Sequence, residues 1–258
     1  MAKLAFLGLG VMGYPMAGHL AGAGHEVCVY NRTTTKADAW VEQHGGRHAA
    51  TPREAATGAD FVMACVGNDD DLRSVVLGED GALAGMSAGA VFVDHTTVSA
   101  RVTAELYQAA RDKDVGFVDA PVSGGQAGAE NGVLSIMCGG DQGDFDRAAP
   151  VMAAYGRSIS RLGESGAGQL TKMVNQICIA GLVQGLAEGL AFAQKAGLDG
   201  RAVVDVIKGG AAGSWQMENR HATMLEDHFE HGFGSLRDLC GLRRTGLFRV
   251  APDVVVTT

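Results

Sequence analysis

Three glycines follow the apolar run Leu4–Leu7 at the spacing Gly8-x-Gly10-x-x-Gly13. Placed between a strand and a helix, the first permits a tight turn. The second lets the backbone approach a pyrophosphate, and the third lets the helix pack against the strand. The helix would turn its positive end to the phosphates. The loop Gly8, Leu9, Gly10, Val11, Met12 and Gly13 is therefore a candidate dinucleotide cradle; a glycine-rich turn without a ligand is the plainer alternative. After the next apolar run, Val27–Tyr30, stands Asn31-Arg32-Thr33. An Asp or Glu at that place would bond a ribose 2′-hydroxyl and repel a 2′-phosphate. Here there is none, and Arg32 could pair with the phosphate. That favours NADP over NAD. An exposed arginine without selectivity, and use of both cofactors, stay open.

Three further segments carry polar groups where ligands gather. Val93-Asp94-His95-Thr96-Thr97 ends a strand, the side of such sheets that lines a crevice. His95 is expected to pack beneath the sheet. Asp119-Ala-Pro121-Val-Ser123-Gly124-Gly125 follows another strand, and a hydroxyl with two glycines offers unobstructed N–H groups to an anion. An ordinary turn is its alternative reading. Lys172-Met-Val-Asn175-Gln176 places a lysine and two amides at i, i+3 and i+4, on one helix face. A lysine snorkelling at a helix edge is the alternative there.

The elements that must position these groups can be read coarsely. Strand-like runs are Leu4–Leu7, Val27–Tyr30, Phe61–Cys65, Val91–Asp94, Phe117–Asp119 and Leu134–Cys138. Helical patterns lie between them at Pro15–Ala23, Lys36–His44, Asp70–Val76 and Ala100–Asp112. Such alternation predicts a mostly parallel sheet covered on both faces. From Gln169 to Ala196 an apolar run predicts a helix of about 40 Å, buried between domains or subunits. The chain beyond Ala196 also reads as helical. The fold class is thus α/β: a Rossmann domain over 1–164, then an all-α domain over 165–258 entered by a long helix.

Composition sets outer bounds. The 258 residues carry a net charge of -8 and are 47% hydrophobic, which suits small ligands and argues against nucleic acid. Charged and amide residues interrupt the most apolar stretch, so no membrane span is expected. The five cysteines form no C-x-x-C pair and are read as buried reduced thiols of a cytoplasmic protein.

The glycine loop, the Asp119–Gly125 segment and Gly166-Ala-Gly-Gln-Leu-Thr-Lys172 with Asn175 occur in one order that resembles the β-hydroxyacid dehydrogenases. The resemblance runs from about residue 3 to about residue 233. It implies Lys172 as the catalytic residue and Thr97 as a contact to cofactor and substrate. It further implies Ser123, Gly124 and Gly125 as the substrate-carboxylate loop, with Asn175 and Gln176 as a substrate-positioning pair. Physical chemistry agrees. Oxidation of a 3-hydroxyacid releases a hydride and a proton, and a lysine in a water-poor cleft can take that proton or stabilise the developing alkoxide. The implied activity is hydride transfer between NADP or NAD and a small 3-hydroxy acid of 3-hydroxyisobutyrate type; the long apolar helix further suggests a homo-oligomer. A glyoxylate, succinic or tartronate semialdehyde reductase is the alternative enzyme.

After Gly232-Phe233 the chain departs from the family pattern. A Lys-Asp pair whose lysine reaches the cofactor, and further helices, are implied there; Arg237-Asp238 and an Arg- and Gly-rich text stand instead. The expectation is a frameshift or truncation near residue 233 and an incomplete helical domain. A non-catalytic dinucleotide-binding protein is the alternative that this departure opens.

Overall fold

Residues buried on both faces of a parallel sheet need no polar alternation, so short apolar runs become its central strands. The computed structural model describes residues 1–226. The chain divides into two compact units, Met1–Lys172 and Met173–Thr258.

In the first unit, β1 (Lys3–Leu7) leads to α1 (Gly13–Gly22), β2 (Glu26–Tyr30), α2 (Thr34–His44) and β3 (Arg47–His48). Then come α3 (Pro52–Ala56), β4 (Phe61–Ala64), α4 (Asp69–Val76), α5 (Ala82–Gly85), β5 (Val91–Asp94) and α6 (Ala100–Arg111). The unit continues through β6 (Gly116–Asp119), β7 (Val122–Ser123), α7 (Gly125–Glu130), β8 (Leu134–Gly140), α8 (Gln142–Met152) and β9 (Gly156–Gly163). It takes in the start of α9 (Ala167–Lys195).

The strands form one sheet in the order β3-β2-β1-β4-β5-β6-β8-β7, with β9 beside β8. Pairing is parallel from β3 to β6, and β8 runs antiparallel to β6 and β7. β1 pairs with β2 on one side and β4 on the other, so the sheet changes its direction of growth there. Loops leaving the carboxyl ends of β1 and β4 part at such a switch and leave a crevice. Side chains of a strand alternate between faces. Accordingly Leu4 and Phe6 join the core containing Met16, Leu20, Trp40 and Tyr155, whereas Ala5 and Leu7 join that of Leu72, Val76, Val102 and Leu106.

The N-terminal domain is thus a Rossmann-like α/β domain, and a helical region entered by the long helix α9 follows it. In the second unit α10 (Gly200–Ile207) and α11 (Trp215–Leu225) start on side-chain caps from Asp199 and Ser214. Leu186, Leu190, Val204 and Met217 form its core.

Among the described residues of the single chain, Leu170, Val174, Ile177 and Phe192 of helix α9 are exposed to solvent or to a second subunit, Phe192 at 71%. By length and composition alone this helix could also cross a membrane, although its first turns are bonded into the sheet of the first unit. The expected burial of the cysteines needs correction: Cys28 and Cys138 are buried, but Cys65 is only half-buried and Cys178, on α9, is exposed; all four are free. Cys240, Arg237-Asp238 and the altered text after Phe233 lie outside the described residues.

Candidate functional site

The turn out of β1 closes through backbone. Gly8 has φ of +99°, and a Cβ there would stand 2.3 Å from the Cys65 carbonyl oxygen. A Cβ on Gly13 would stand 2.0 Å from the Gly8 carbonyl oxygen, so the helix start packs directly on the turn. Over Gly10 a Cβ would meet nothing within 4 Å among the described residues. Leu9 is buried in the core while Gly10 and Val11 are exposed. No side chain caps α1, whose first residue follows Met12, and no acidic residue stands in its first turn. Open space beside uncapped N–H groups fits the pyrophosphate of a dinucleotide.

The end of β2 is tied to this loop. Asn31 Oδ1 accepts from the Leu9 N–H at 2.9 Å, and its Nδ2 donates to the Thr33 carbonyl at 3.0 Å. Asn31 therefore spends both ends of its amide on backbone. Arg32 is 85% exposed and donates to Asp71 at 3.1 Å. Thr33 is exposed and precedes α2 without a capping bond from its side chain.

Beyond β5 a buried polar network begins. Asp94 Oδ1 accepts from the Thr96 N–H at 2.9 Å; Oδ2 has no hydrogen-bond partner among the described residues. Burial pushes its carboxyl up to about 7. His95 lies beneath the sheet, as expected, with Nδ1 at 2.7 Å from the Ala120 carbonyl and Nε2 at 2.8 Å from the Tyr155 hydroxyl. Burial lowers it to about 4, so it is neutral. Nδ1 must then carry the proton, and the Tyr155 hydroxyl donates to Nε2. Thr96 Oγ1 accepts from the Val66 N–H at 3.1 Å, fixing this turn to the end of β4. Thr97 is half-buried.

The start of α9 is locked by Asp119 and Gln169, residues to which the sequence alone assigns no role. Asp119 is fully buried and accepts from the Gly166 N–H at 2.7 Å and the Gln169 N–H at 2.9 Å. It caps the helix with charge at its positive end. Burial nevertheless raises its carboxyl above the ordinary value. Gln169 donates from Nε2 to the Thr96 carbonyl at 2.6 Å and accepts at Oε1 from the Val98 N–H at 3.2 Å. One turn later Lys172, 8% exposed, donates from Nζ to the Val122 carbonyl at 2.7 Å. No carboxylate lies in ion-pair range of Lys172 among the described residues. Burial without compensation lowers the amine from 10.5 to about 8.

Val122 precedes the half-buried Ser123, so the amine is held one peptide from the Ser123-Gly124-Gly125 turn. Gly124 and Gly125 have φ of +134° and +61°, which side-chain-bearing residues rarely adopt. In the first unit the structure thus joins the glycine loop to Asn31, and Lys172 to the Ser123 turn. Asn175 and Gln176 stand in the second unit, half-buried, with Asn175 Nδ2 donating to Gln176 Oε1 at 3.0 Å.

Two family models match the chain. One, the NAD-binding domain of 6-phosphogluconate dehydrogenase, matches residues 3–163. The other, the NAD-binding domain of NADP-dependent 3-hydroxyisobutyrate dehydrogenase, matches 166–235. An uncharacterized oxidoreductase of Shewanella frigidimarina is 64% identical over 233 residues, covering 90% of this chain and 80% of that protein. The 3-hydroxyisobutyrate dehydrogenase of Pseudomonas aeruginosa is 37% identical over 217 residues, covering 84% and 72%. The structure of Mycobacterium tuberculosis 3-hydroxyisobutyrate dehydrogenase with L-serine superposes with a TM-score of 0.80 at 31% identity, covering 98% of this chain and 89% of that one. The chain therefore belongs to the 3-hydroxyisobutyrate dehydrogenase-like family of β-hydroxyacid dehydrogenases and is an NAD(P)-dependent oxidoreductase.

Proposed function

We propose that this protein oxidises a small 3-hydroxy carboxylic acid of 3-hydroxyisobutyrate type, with NADP as the preferred cofactor and Lys172 as the proton acceptor. The reading rests above all on Lys172: a buried amine lowered to about 8, without a counter-charge among the described residues, beside a serine–glycine–glycine turn. The Pseudomonas and Mycobacterium relatives, named for 3-hydroxyisobutyrate, support the substrate class.

Ser123 and the N–H groups of Gly124 and Gly125 hold the substrate carboxylate, and Asn175 and Gln176 orient the carbinol. The neutral Lys172 amine accepts the hydroxyl proton as the hydride leaves. The nicotinamide, when bound, supplies the hydride acceptor. Gly8, Leu9, Gly10, Val11, Met12 and Gly13 hold its pyrophosphate through backbone, and Asn31, Arg32 and Thr33 border its ribose. Thr97 contacts cofactor and substrate.

One observation favours the reverse reaction near neutral pH. An amine titrating at about 8 is mostly ammonium at pH 7, the form that donates a proton to a semialdehyde carbonyl. The exposed apolar residues of α9 support a homo-oligomer, which a solution mass measurement tests.

Nicotinamide absorbance during incubation with NADP or NAD and 3-hydroxyisobutyrate, 3-hydroxypropionate, glycerate or serine tests the proposal, with Lys172→Ala alongside. Turnover that disappears in the variant while NADPH still binds is the expected result. Binding without turnover in the unaltered chain would instead make it a non-catalytic dinucleotide-binding protein.

A further inference from the structure

Gln169 is 1% exposed and has all its described partners on backbone or on a buried carboxylate. Its amide brackets Thr97: Nε2 donates to the carbonyl before it and Oε1 accepts from the N–H after it. The partners fix which end of the amide is which, because a carbonyl takes only a donor and an N–H only an acceptor. The bracketed turn continues the wall of the crevice, since Thr96 Oγ1 binds the Val66 N–H and Val66 Cγ1 would lie 2.9 Å from a Cβ on Gly8. At its other end Gln169 belongs to the first turn of the helix that carries Lys172. Gly168 seats that turn: a Cβ there would stand 2.4 Å from the Met137 carbonyl oxygen and 2.6 Å from that of Asp119.

We propose that Gln169 is a positioning residue, whose amide sets the Lys172 helix in register with the turn at Thr97 and so with the dinucleotide crevice. This rests on the reading of Lys172 as the proton-transfer group. Apolar packing alone would leave the helix free to shift along its axis. Two buried hydrogen bonds of opposite polarity define one position. A misplacement of about 1 Å between an amine and the reacting carbinol costs about 100-fold in rate.

The test compares full-length wild type, Gln169→Leu and Gln169→Glu. Leucine keeps bulk and loses both bonds. Glutamate is conditional. Its protonated carboxyl donates to the Thr96 carbonyl and accepts from Val98, whereas its carboxylate offers acceptors only and opposes that carbonyl. The titratable groups around the position are Asp69, Asp94, His95, Asp119 and Lys172, and rates taken relative to wild type at each pH remove their own titration. Turnover of 3-hydroxyisobutyrate with NADP and NADPH affinity by fluorescence are both measured from pH 6 to 9.

Gln169→Leu is expected to lose about 10–100-fold in kcat. Gln169→Glu is expected to match it at pH 9 and to approach wild type at pH 6. A folded Gln169→Leu within threefold of wild type would overturn the proposal. So would equal losses in both variants at every pH, the mark of lost packing. Should Gln169→Leu not fold, the pH course of Gln169→Glu decides alone. Should wild type turn over no hydroxyacid, the reading of Lys172 fails, and the pH course of NADPH affinity in Gln169→Glu still decides the role of Gln169.

Discussion

Asp71, at the start of α4, holds Arg32, at the end of β2, through a single hydrogen bond of 3.1 Å. The guanidinium is 85% exposed and the carboxylate 30% exposed, so the pair is weak and open to exchange. A 2′-phosphate reaching Arg32 would meet the attraction of the guanidinium and the repulsion of Asp71 together. The two side chains should therefore act oppositely on cofactor choice. Arg32→Ala is expected to lower kcat/KM with NADP roughly tenfold or more, the scale of a lost charge-assisted bond, and to leave NAD nearly unchanged. Asp71→Asn is expected to raise the NADP value several-fold. Steady-state kinetics with both cofactors check this; equal effects on NAD and NADP would remove Arg32 as the selector.

The rate should report the amine at position 172. Its proton leaves at about 8, well below the 10.5 of a free lysine, because burial penalises the ammonium. Oxidation needs the neutral amine, so kcat/KM should climb tenfold per pH unit below about 8 and level off above it. Reduction needs the ammonium and should fall above the same pH. Lys172→Arg, which keeps its proton throughout, is expected to lose about 100–10,000-fold in oxidation. Profiles in both directions from pH 6 to 10 provide the check. A flat oxidation profile would mean that another group takes the proton.

Much of this fold is readable from sequence because its central strands are short apolar runs divided by helical patterns. β9 escapes that reading: it is an edge strand whose Arg157, Ser158 and Ser160 are exposed, so no apolar run marks it. α8 carries Pro150 inside it and four charged or amide residues in its first six, which hide its helical period. In the site, the glycine loop is legible because local spacing dictates its chemistry. Gln169 is not. Its meaning lies in bonds to Thr96 and Val98, which stand 73 and 71 residues earlier in the chain. Asp71 likewise gains a role only because the sheet brings the ends of β2 and β4 to the same edge of the crevice.

The same lysine should cost stability. The unfolded chain keeps the Lys172 proton until about pH 10.5, and the folded chain releases it at about 8. Between these values the unfolded state binds more protons, so stability rises with pH there; below 8 the full penalty is present. The gap corresponds to roughly 3 kcal/mol. Lys172→Met keeps the stem and removes the charge, and it forfeits about 1 kcal/mol of hydrogen bond to Val122. A net gain of roughly 1–3 kcal/mol is expected at pH 7, fading by pH 11. Urea unfolding at the two pH values measures it, and a variant less stable than wild type at pH 7 would contradict the burial of an uncompensated charge.

One substitution made twice on α9 should have opposite signs. At Gly168 an added methyl would fall 2.4 Å from the Met137 carbonyl oxygen, and both nearest obstacles are backbone of the sheet. The helix start must then lift, straining the bonds from Asp119 and Gln169, and the amine of Lys172 moves with it. At Gly181 the added methyl meets no atom of the described residues within 4 Å, and the residue lies in a helix interior. There alanine gains about 0.8–1 kcal/mol from helix propensity alone. Gly168→Ala is expected to cost about 1–3 kcal/mol, as overpacking does, and to depress turnover. Gly181→Ala is expected to raise the melting temperature by a few degrees and to leave turnover unchanged. Thermal melts with parallel rate measurements decide the matter. A destabilised Gly181→Ala would show that another surface closes over that face of α9 in solution, and the loss should then deepen as the protein is concentrated.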